Sequence, residues 1–258
     1  RSVSVNYGSH ERGIFSKDKS VEAVSNVSLD IRKGERLGLV GESGCGKSTL
    51  TRTILGLQSA SSGYIKFDGK EISKDDNNFK KNIQVVFQDP YGSFNPRQKI
   101  GRLITEPFFT LGREAPSETE QRIIAKKMLK EVGLSSESIE KYIHEFSGGQ
   151  RQRIAIARAL VIQPKLIIFD EAVSALDVSI RSQILKLISD LTERYGLSYL
   201  FISHDLTVIK NITENCLVMK NGKIVERGQT KHILRDPKNE YTLSLINAAP
   251  KFPNFLHA

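Results

Sequence analysis

Apolar positions along the chain follow two periods. Short runs that alternate, or that have no polar interruption, read as strands: "NVSLDI" with Val27, Leu29 and Ile31 on one face, "RLGLV" at 36–40, "IQVVF" at 83–87, "LIIFD" at 166–170 and "LSYLFISHD" at 197–205. Other stretches carry the helical period. In "APSETEQRIIAKKMLKEVG", Ile124, Met128 and Val132 recur every fourth residue beside Ala125 and Leu129. Ser117 with Glu120 opens that run as a capping box, and Gly133 closes it. "GESGCGKSTLTRTILGL" passes from loop to helix, and "VSIRSQILKLISDLTERYG" is amphipathic. Asp68-Gly69 and Asn221-Gly222 are hairpin turns. Strands that alternate with helices predict an α/β fold with a mainly parallel sheet. Residues 98–164 are predicted as a helical insertion, and the Pro-punctuated segment from His232 onward as a surface tail.

At 258 residues the chain fits one large domain, or a domain with a subdomain. Being 39% hydrophobic and 26% charged, it is expected to fold rather than remain disordered. Its apolar runs are far shorter than the roughly 20 residues of a membrane span, and "RSVSVNYGSH" does not read as a secretory signal. Cys45 and Cys216 form no metal-binding or disulfide spacing, so a reducing compartment is expected. The net charge of +9 is compatible with nucleic acid, an anionic membrane surface or phosphate ligands and does not choose among them.

The chemistry begins at "GESGCGKST", residues 41–49. Gly41, four residues, then Gly46, Lys47 and Ser48, set between a strand and a helix, form a phosphate-binding loop. Its glycines let backbone amides face a polyanion, Lys47 reaches the β- and γ-phosphates, and the Ser48 hydroxyl is offered to Mg²⁺. Nucleotide-binding candidates are Gly41, Ser43, Gly44, Cys45, Gly46, Lys47, Ser48 and Thr49. "LIIFDE" places Asp170 and Glu171 at a strand's carboxyl edge, Asp170 for Mg²⁺ and Glu171 as the base that activates water. "FSGGQRQRIAIARAL" is either an ordinary helix capped by Ser147 or a second anion site at a helix N-terminus.

Taken in order, the phosphate loop, "FSGGQ", "LIIFDE", "SALD" (174–177) and "ISHD" (202–205) resemble the nucleotide-binding subunits of ATP-binding cassette transporters, from about Val3 to Pro250. The resemblance implies a P-loop NTPase core with an antiparallel N-terminal β subdomain. Core would be 1–97 with 165–231, a helical signature subdomain 98–164 and a C-terminal tail 232–258. It implies further roles. Gln88 contacts Mg²⁺ and the attacking water. Ser147, Gly149 and Gln150 act in trans on the ATP of an opposing subunit. Asp177 lies in a loop at the dimer interface, His204 near the γ-phosphate, and Tyr7, or else Phe15, against adenine.

"FQDPYGSFNPR" (87–97) and "RDPKNEYTLSLINAAP" (235–250) resemble the oligopeptide, dipeptide and nickel importer branch. ATP and Mg²⁺ are the implied cofactors. Expected partners are a second, related cassette (a heterodimer), two integral membrane permease subunits and, indirectly, an extracytoplasmic solute-binding protein, with no nucleic acid. The expected location is the cytoplasmic face of the plasma membrane. Ala172 and Val173 stand where the family usually has Pro and Thr, with no catalytic group lost. The four-cysteine cluster of some relatives is missing, so no iron–sulfur centre is expected. Alternatives are a phosphonate-degrading complex and a nucleic-acid or ribosome-associated ATPase. The short stretch between Lys47 and Ser147 and the single cassette speak against the latter.

Overall fold

The computed structural model describes residues 1–7, 21–72 and 77–248. Its central sheet has six strands, β3 (Arg36–Val40), β6 (Ile83–Phe87), β7 (Leu166–Asp170), β8 (Ser198–Ser203), β9 (Asn215–Lys220) and β10 (Lys223–Gln229). They lie in the order β10-β9-β3-β8-β7-β6, parallel throughout except for the antiparallel β9–β10 hairpin. That hairpin turns on Asn221 and Gly222, both at positive φ, as Asn-Gly turns require.

Strands β7 and β8 are buried at every position, and their alternate side chains feed two separate cores. Ile168, Leu200 and Ile202 face the N-terminal strands. Ile167, Phe169, Tyr199 and Phe201 face the helices, where the Phe169 and Phe201 rings stack 5.5 Å apart.

A two-stranded antiparallel sheet, β1 (Val3–Tyr7) with β2 (Val21–Val27), covers the first core. The small hairpin β4 (Lys66–Phe67) and β5 (Lys70–Glu71) turns on Asp68-Gly69. The strand expected at Val27, Leu29 and Ile31 instead ends at Val27. Asn26 takes a left-handed backbone (φ 49), and Leu29 and Ile31 then pack against the core without strand pairing.

Helix α1 (Lys47–Ile54) follows β3, and α2 (Asn77–Asn82) precedes β6. Between β6 and β7 lie α3 (Ile100–Thr105), a 3-10 segment Glu106–Glu114, α4 (Glu118–Glu131) and α5 (Gly148–Leu160). The Ser117/Glu120 capping box forms as the sequence predicts, and Ala125, Met128, Leu129 and Val132 are buried. Helix α6 (Val178–Tyr195) follows β7, and α7 (Leu206–Ile212) follows β8.

Among the described residues, the region read as a tail holds the end of α8 (Thr230–Arg235) and all of α9 (Glu240–Ala248). Ile233, Tyr241 and Thr242 are buried, so this segment packs into the molecule. Short helices of this size carry too few periodic positions to stand out in sequence.

Because β3, β6, β7 and β8 are parallel, their carboxyl ends meet at one edge of the sheet. Val40, Phe87, Asp170 and Ser203 end these strands, and the next residues are Gly41, Gln88, Glu171 and His204. Crevices at this edge are where open α/β sheets bind ligands.

Candidate functional site

The loop from β3 to α1 is held by close backbone contacts. A Cβ at Gly41 would lie 2.3 Å from the Met219 carbonyl oxygen, and one at Gly46 2.3 Å from that of Ala23. Gly46, at φ 108, starts α1 with no side-chain cap, so the first-turn N–H groups are left for a ligand. Lys47 is only 4% exposed. Its Nζ donates to the carbonyls of Gly41 (2.7 Å) and Glu42 (2.8 Å) and lies 3.8 Å from Glu171 Oε1.

Opposite the loop, burial pushes the Asp170 carboxyl up to about 6, the Glu171 charge pushes it the same way, and Lys47 and Arg52 oppose them. Glu171 sits in the left-handed region (φ 51). It is held there by its N–H on the Ile202 carbonyl (3.0 Å) and by the Ser174 hydroxyl on its own carbonyl (2.9 Å). Its Oε2 lies 3.3 Å from His204 Nδ1. One carboxylate therefore touches both the loop lysine and the histidine after β8.

A cleft of about 740 Å³ is lined by Ser43, Gly44, Gly46, Lys47, Ser48 and Thr49 on one side and by Gln88, Asp170 and Glu171 on the other. This is within the usual size of small-molecule sites. Tyr7, 40% exposed, stands beside it with its hydroxyl 3.4 Å from Thr49 Oγ1. Phe15, the alternative aromatic, lies outside the described residues.

Two loop residues sit behind the cleft rather than on it. Gly41 contributes its carbonyl to Lys47, and the Cys45 side chain is buried in the first core, where burial raises its thiol pKa and keeps it protonated. Ser147, Gly149, Gln150 and Asp177 also lie away from the cleft lining. Ser147 and Gln150 form a capping box: the Ser147 N–H donates to Gln150 Oε1 (3.0 Å), and the Ser147 hydroxyl accepts from the Gln150 N–H (3.4 Å). The cap and an exposed helix N-terminus therefore coexist. Gly149 permits close contact with α6, since a Cβ there would lie 2.5 Å from Ile180 Cγ2. Asp177 caps α6 by accepting from the Ile180 N–H at 2.9 Å.

The segment after Gln88 is ordered by its own polar residues. Asp89 Oδ1 accepts from the Tyr91 N–H and Asn95 Oδ1 from the Arg97 N–H, each at 3.0 Å, while Phe94 is buried. Arg158 of α5 ties the segment down. It donates to the Ser93 carbonyl and hydroxyl at 3.0 Å each, lies 4.4 Å over the Phe94 ring and 3.6 Å from Glu106. Sequence reasoning did not single out Arg158. Nor did it find Arg52, which lines the cleft, or Arg181, which bridges Asp205 (3.1 Å) and the Leu176 carbonyl (3.2 Å). No local sequence signal marks these contacts, which exist only once the fold brings their elements together.

Comparison with known proteins places these features in a family. Residues 24–174 match the family described as ABC transporter. The chain is 44% identical to the dipeptide transport ATP-binding protein DppF of Escherichia coli (strain K12), over 93% of this chain and 73% of that protein. It is 48% identical to the oligopeptide transport ATP-binding protein OppF of the same organism, over 90% and 70%. Among solved structures, the ATP-binding cassette MJ0796, dimeric and bound to ADP and Pi, superposes with a TM-score of 0.76 at 29% identity, covering 89% of this chain and 97% of that one. The chain belongs to the ABC transporter family, as one of its ATP-binding, ATP-hydrolysing subunits.

Proposed function

We propose that this ATPase drives the import of peptides, and that the cleft between the 41–49 loop and Asp170–Glu171 is where it binds and hydrolyses ATP. The observation that carries the cargo is the likeness to peptide-transport ATP-binding proteins over nine-tenths of the chain. The Asp-Pro and Asn-Pro-Arg segment after Gln88 supports the same branch.

In this reading the first-turn amides of α1 and Lys47 hold the phosphates, and Tyr7 stacks on adenine. Glu171 takes the proton of the attacking water. His204, in contact with that carboxylate, orients it toward the γ-phosphate. Ser48, Gln88 and Asp170 offer oxygens on one cleft, a hard donor set that fits Mg²⁺. Once bound, that ion would neutralise charge on the β- and γ-phosphates.

Ser147, Gly149 and Gln150 serve the ATP of a second cassette, and Asp177 lies at the joint interface. Ser147, Gln150 and Asp177 are exposed, and none of the four residues lines the chain's own cleft, which supports this. The second cassette is a different, related polypeptide in this reading, and both dock on two permease subunits that receive cargo from a solute-binding protein. Among the described residues no helix is long and apolar enough to cross a membrane; peripheral attachment at the cytoplasmic face is part of this reading. Residues 98–164 move as a unit against the core, with Arg158 carrying the segment after Gln88 along with α5.

Proton linkage gives one test. Asp170 holds a proton below about 6 in the free site, whereas a bound cation requires the carboxylate, so Mg·ATP affinity should fall as pH drops through about 6. Calorimetry at that pH, in two buffers of different protonation enthalpy, should report a released proton. Equal heats in both buffers would count against Asp170 as the metal ligand.

The cargo is tested by uptake of labelled dipeptide and of labelled nickel, with and without chelator, in cells carrying the wild-type chain or Glu171→Gln. Loss of dipeptide uptake alone is expected. Loss of nickel uptake with dipeptide import intact would replace the peptide assignment.

A further inference from the structure

The segment 235–250 marks the importer branch in sequence, yet none of the roles above uses it. In the structure its Tyr241 reaches the phosphate loop. Glu226 of β10 accepts the N–H groups of Lys238 (2.8 Å) and Asn239 (3.2 Å), which fixes the approach to α9. Asn239 Oδ1 accepts from the Tyr241 N–H at 2.9 Å, a side-chain cap at the helix start. Tyr241 is thereby turned inward and is 7% exposed, with Lys220 Nζ 4.6 Å from its ring centroid.

The Tyr241 hydroxyl accepts the Glu42 N–H at 3.1 Å. That N–H belongs to the planar peptide unit whose carbonyl is Gly41's, and the Gly41 carbonyl accepts from Lys47 Nζ at 2.7 Å. Tyr241 and Lys47 therefore grip opposite ends of one rigid unit at the start of the loop. A loop held in its binding geometry before the ligand arrives loses less conformational freedom on binding.

We propose that Tyr241 is a positioning residue for nucleotide binding: through the Gly41–Glu42 peptide its hydroxyl preorganises the phosphate loop, and α9 is in turn ordered by nucleotide at that loop. The proposal rests on ATP binding at the 41–49 loop. The reverse influence follows from linkage, since a contact that favours nucleotide binding must itself be favoured by nucleotide.

Tyr241→Phe keeps the ring against Lys220 and removes only the hydroxyl. In the assembled transporter the ATP KM should rise about threefold to tenfold, the range expected for one hydrogen bond, while kcat changes less than about twofold. The variant's Tm without nucleotide should stay within about 4 °C of wild type. Backbone hydrogen exchange over 240–248 should slow on addition of Mg·ADP in the wild type and not in Tyr241→Phe.

An unchanged KM, or an α9 indifferent to nucleotide in the wild type, overturns the proposal. So does a fall in kcat at constant KM. Lys47→Ala in the same assay separates the two readings. If it binds ATP as wild type does, the assignment of the loop fails and the tyrosine's role with it. If Lys47→Ala is defective and Tyr241→Phe is not, only the tyrosine's role fails.

Discussion

Glu171→Gln should reduce ATP turnover by about 10² to 10⁴-fold, the range that a positioned general base contributes, while leaving nucleotide bound. Glutamine keeps the length and shape of the side chain and can meet His204 and Lys47 where the carboxylate now stands, 3.3 and 3.8 Å away. It cannot take a proton from water. Removing the charge also removes one of the two causes that raise the Asp170 pKa, so Asp170 becomes a readier anion beside the phosphates. Affinity for Mg·ATP should hold or tighten, and the variant should accumulate in the ATP-bound, dimeric form. Single-turnover hydrolysis and equilibrium binding on the same preparation measure both halves. A variant that hydrolyses ATP within tenfold of wild type would take Glu171 out of the base's role.

Lys47→Ala should weaken ATP binding by about 10- to 100-fold, the loss expected for charge-assisted hydrogen bonds to phosphate oxygens. In the free protein the Nζ rests on two backbone carbonyls and near Glu171, inside a site where the side chain is only 3% exposed. Its charge is already largely out of water, so binding an anion adds little further desolvation cost. Alanine also leaves the Gly41 and Glu42 carbonyls without the lysine that they accept from. The increase in Tm that saturating Mg·ADP gives the wild type should largely vanish. A variant with a wild-type nucleotide-induced increase would take the 41–49 loop out of the nucleotide site.

The positions of the cleft residues were legible because they follow strands. A buried run such as "LIIFD" can be seen in sequence, and the residue after it must emerge at the sheet edge. Parallel pairing then brings Gln88, Asp170, Glu171 and His204 to the edge that holds the loop, although up to 157 positions part His204 from Lys47. The alternation at Val27, Leu29 and Ile31 misled for a local reason: Asn26 leaves the extended conformation and ends the pairing one residue later. Tyr241 and Arg158 were illegible for a different one. Their partners are 199 and 65 positions away, and neither a phenol on a backbone amide nor a guanidinium on a serine has a spacing that sequence can display. Cys45 shows the converse limit. It sits inside a recognisable motif, yet its side chain serves the core.

The backbone at Glu171, at φ 51, has an evolutionary consequence. A non-glycine residue held there costs about 1–3 kcal/mol, and glycine or asparagine would occupy the same conformation with less strain. Selection for heat resistance alone would therefore pull position 171 away from glutamate. That glutamate stands there marks a place where the molecule gives up thermal endurance to keep a carboxylate aimed at its cleft. Thermostabilised libraries of this protein screened without an ATPase assay should be enriched in inactive Glu171→Gly and Glu171→Asn clones.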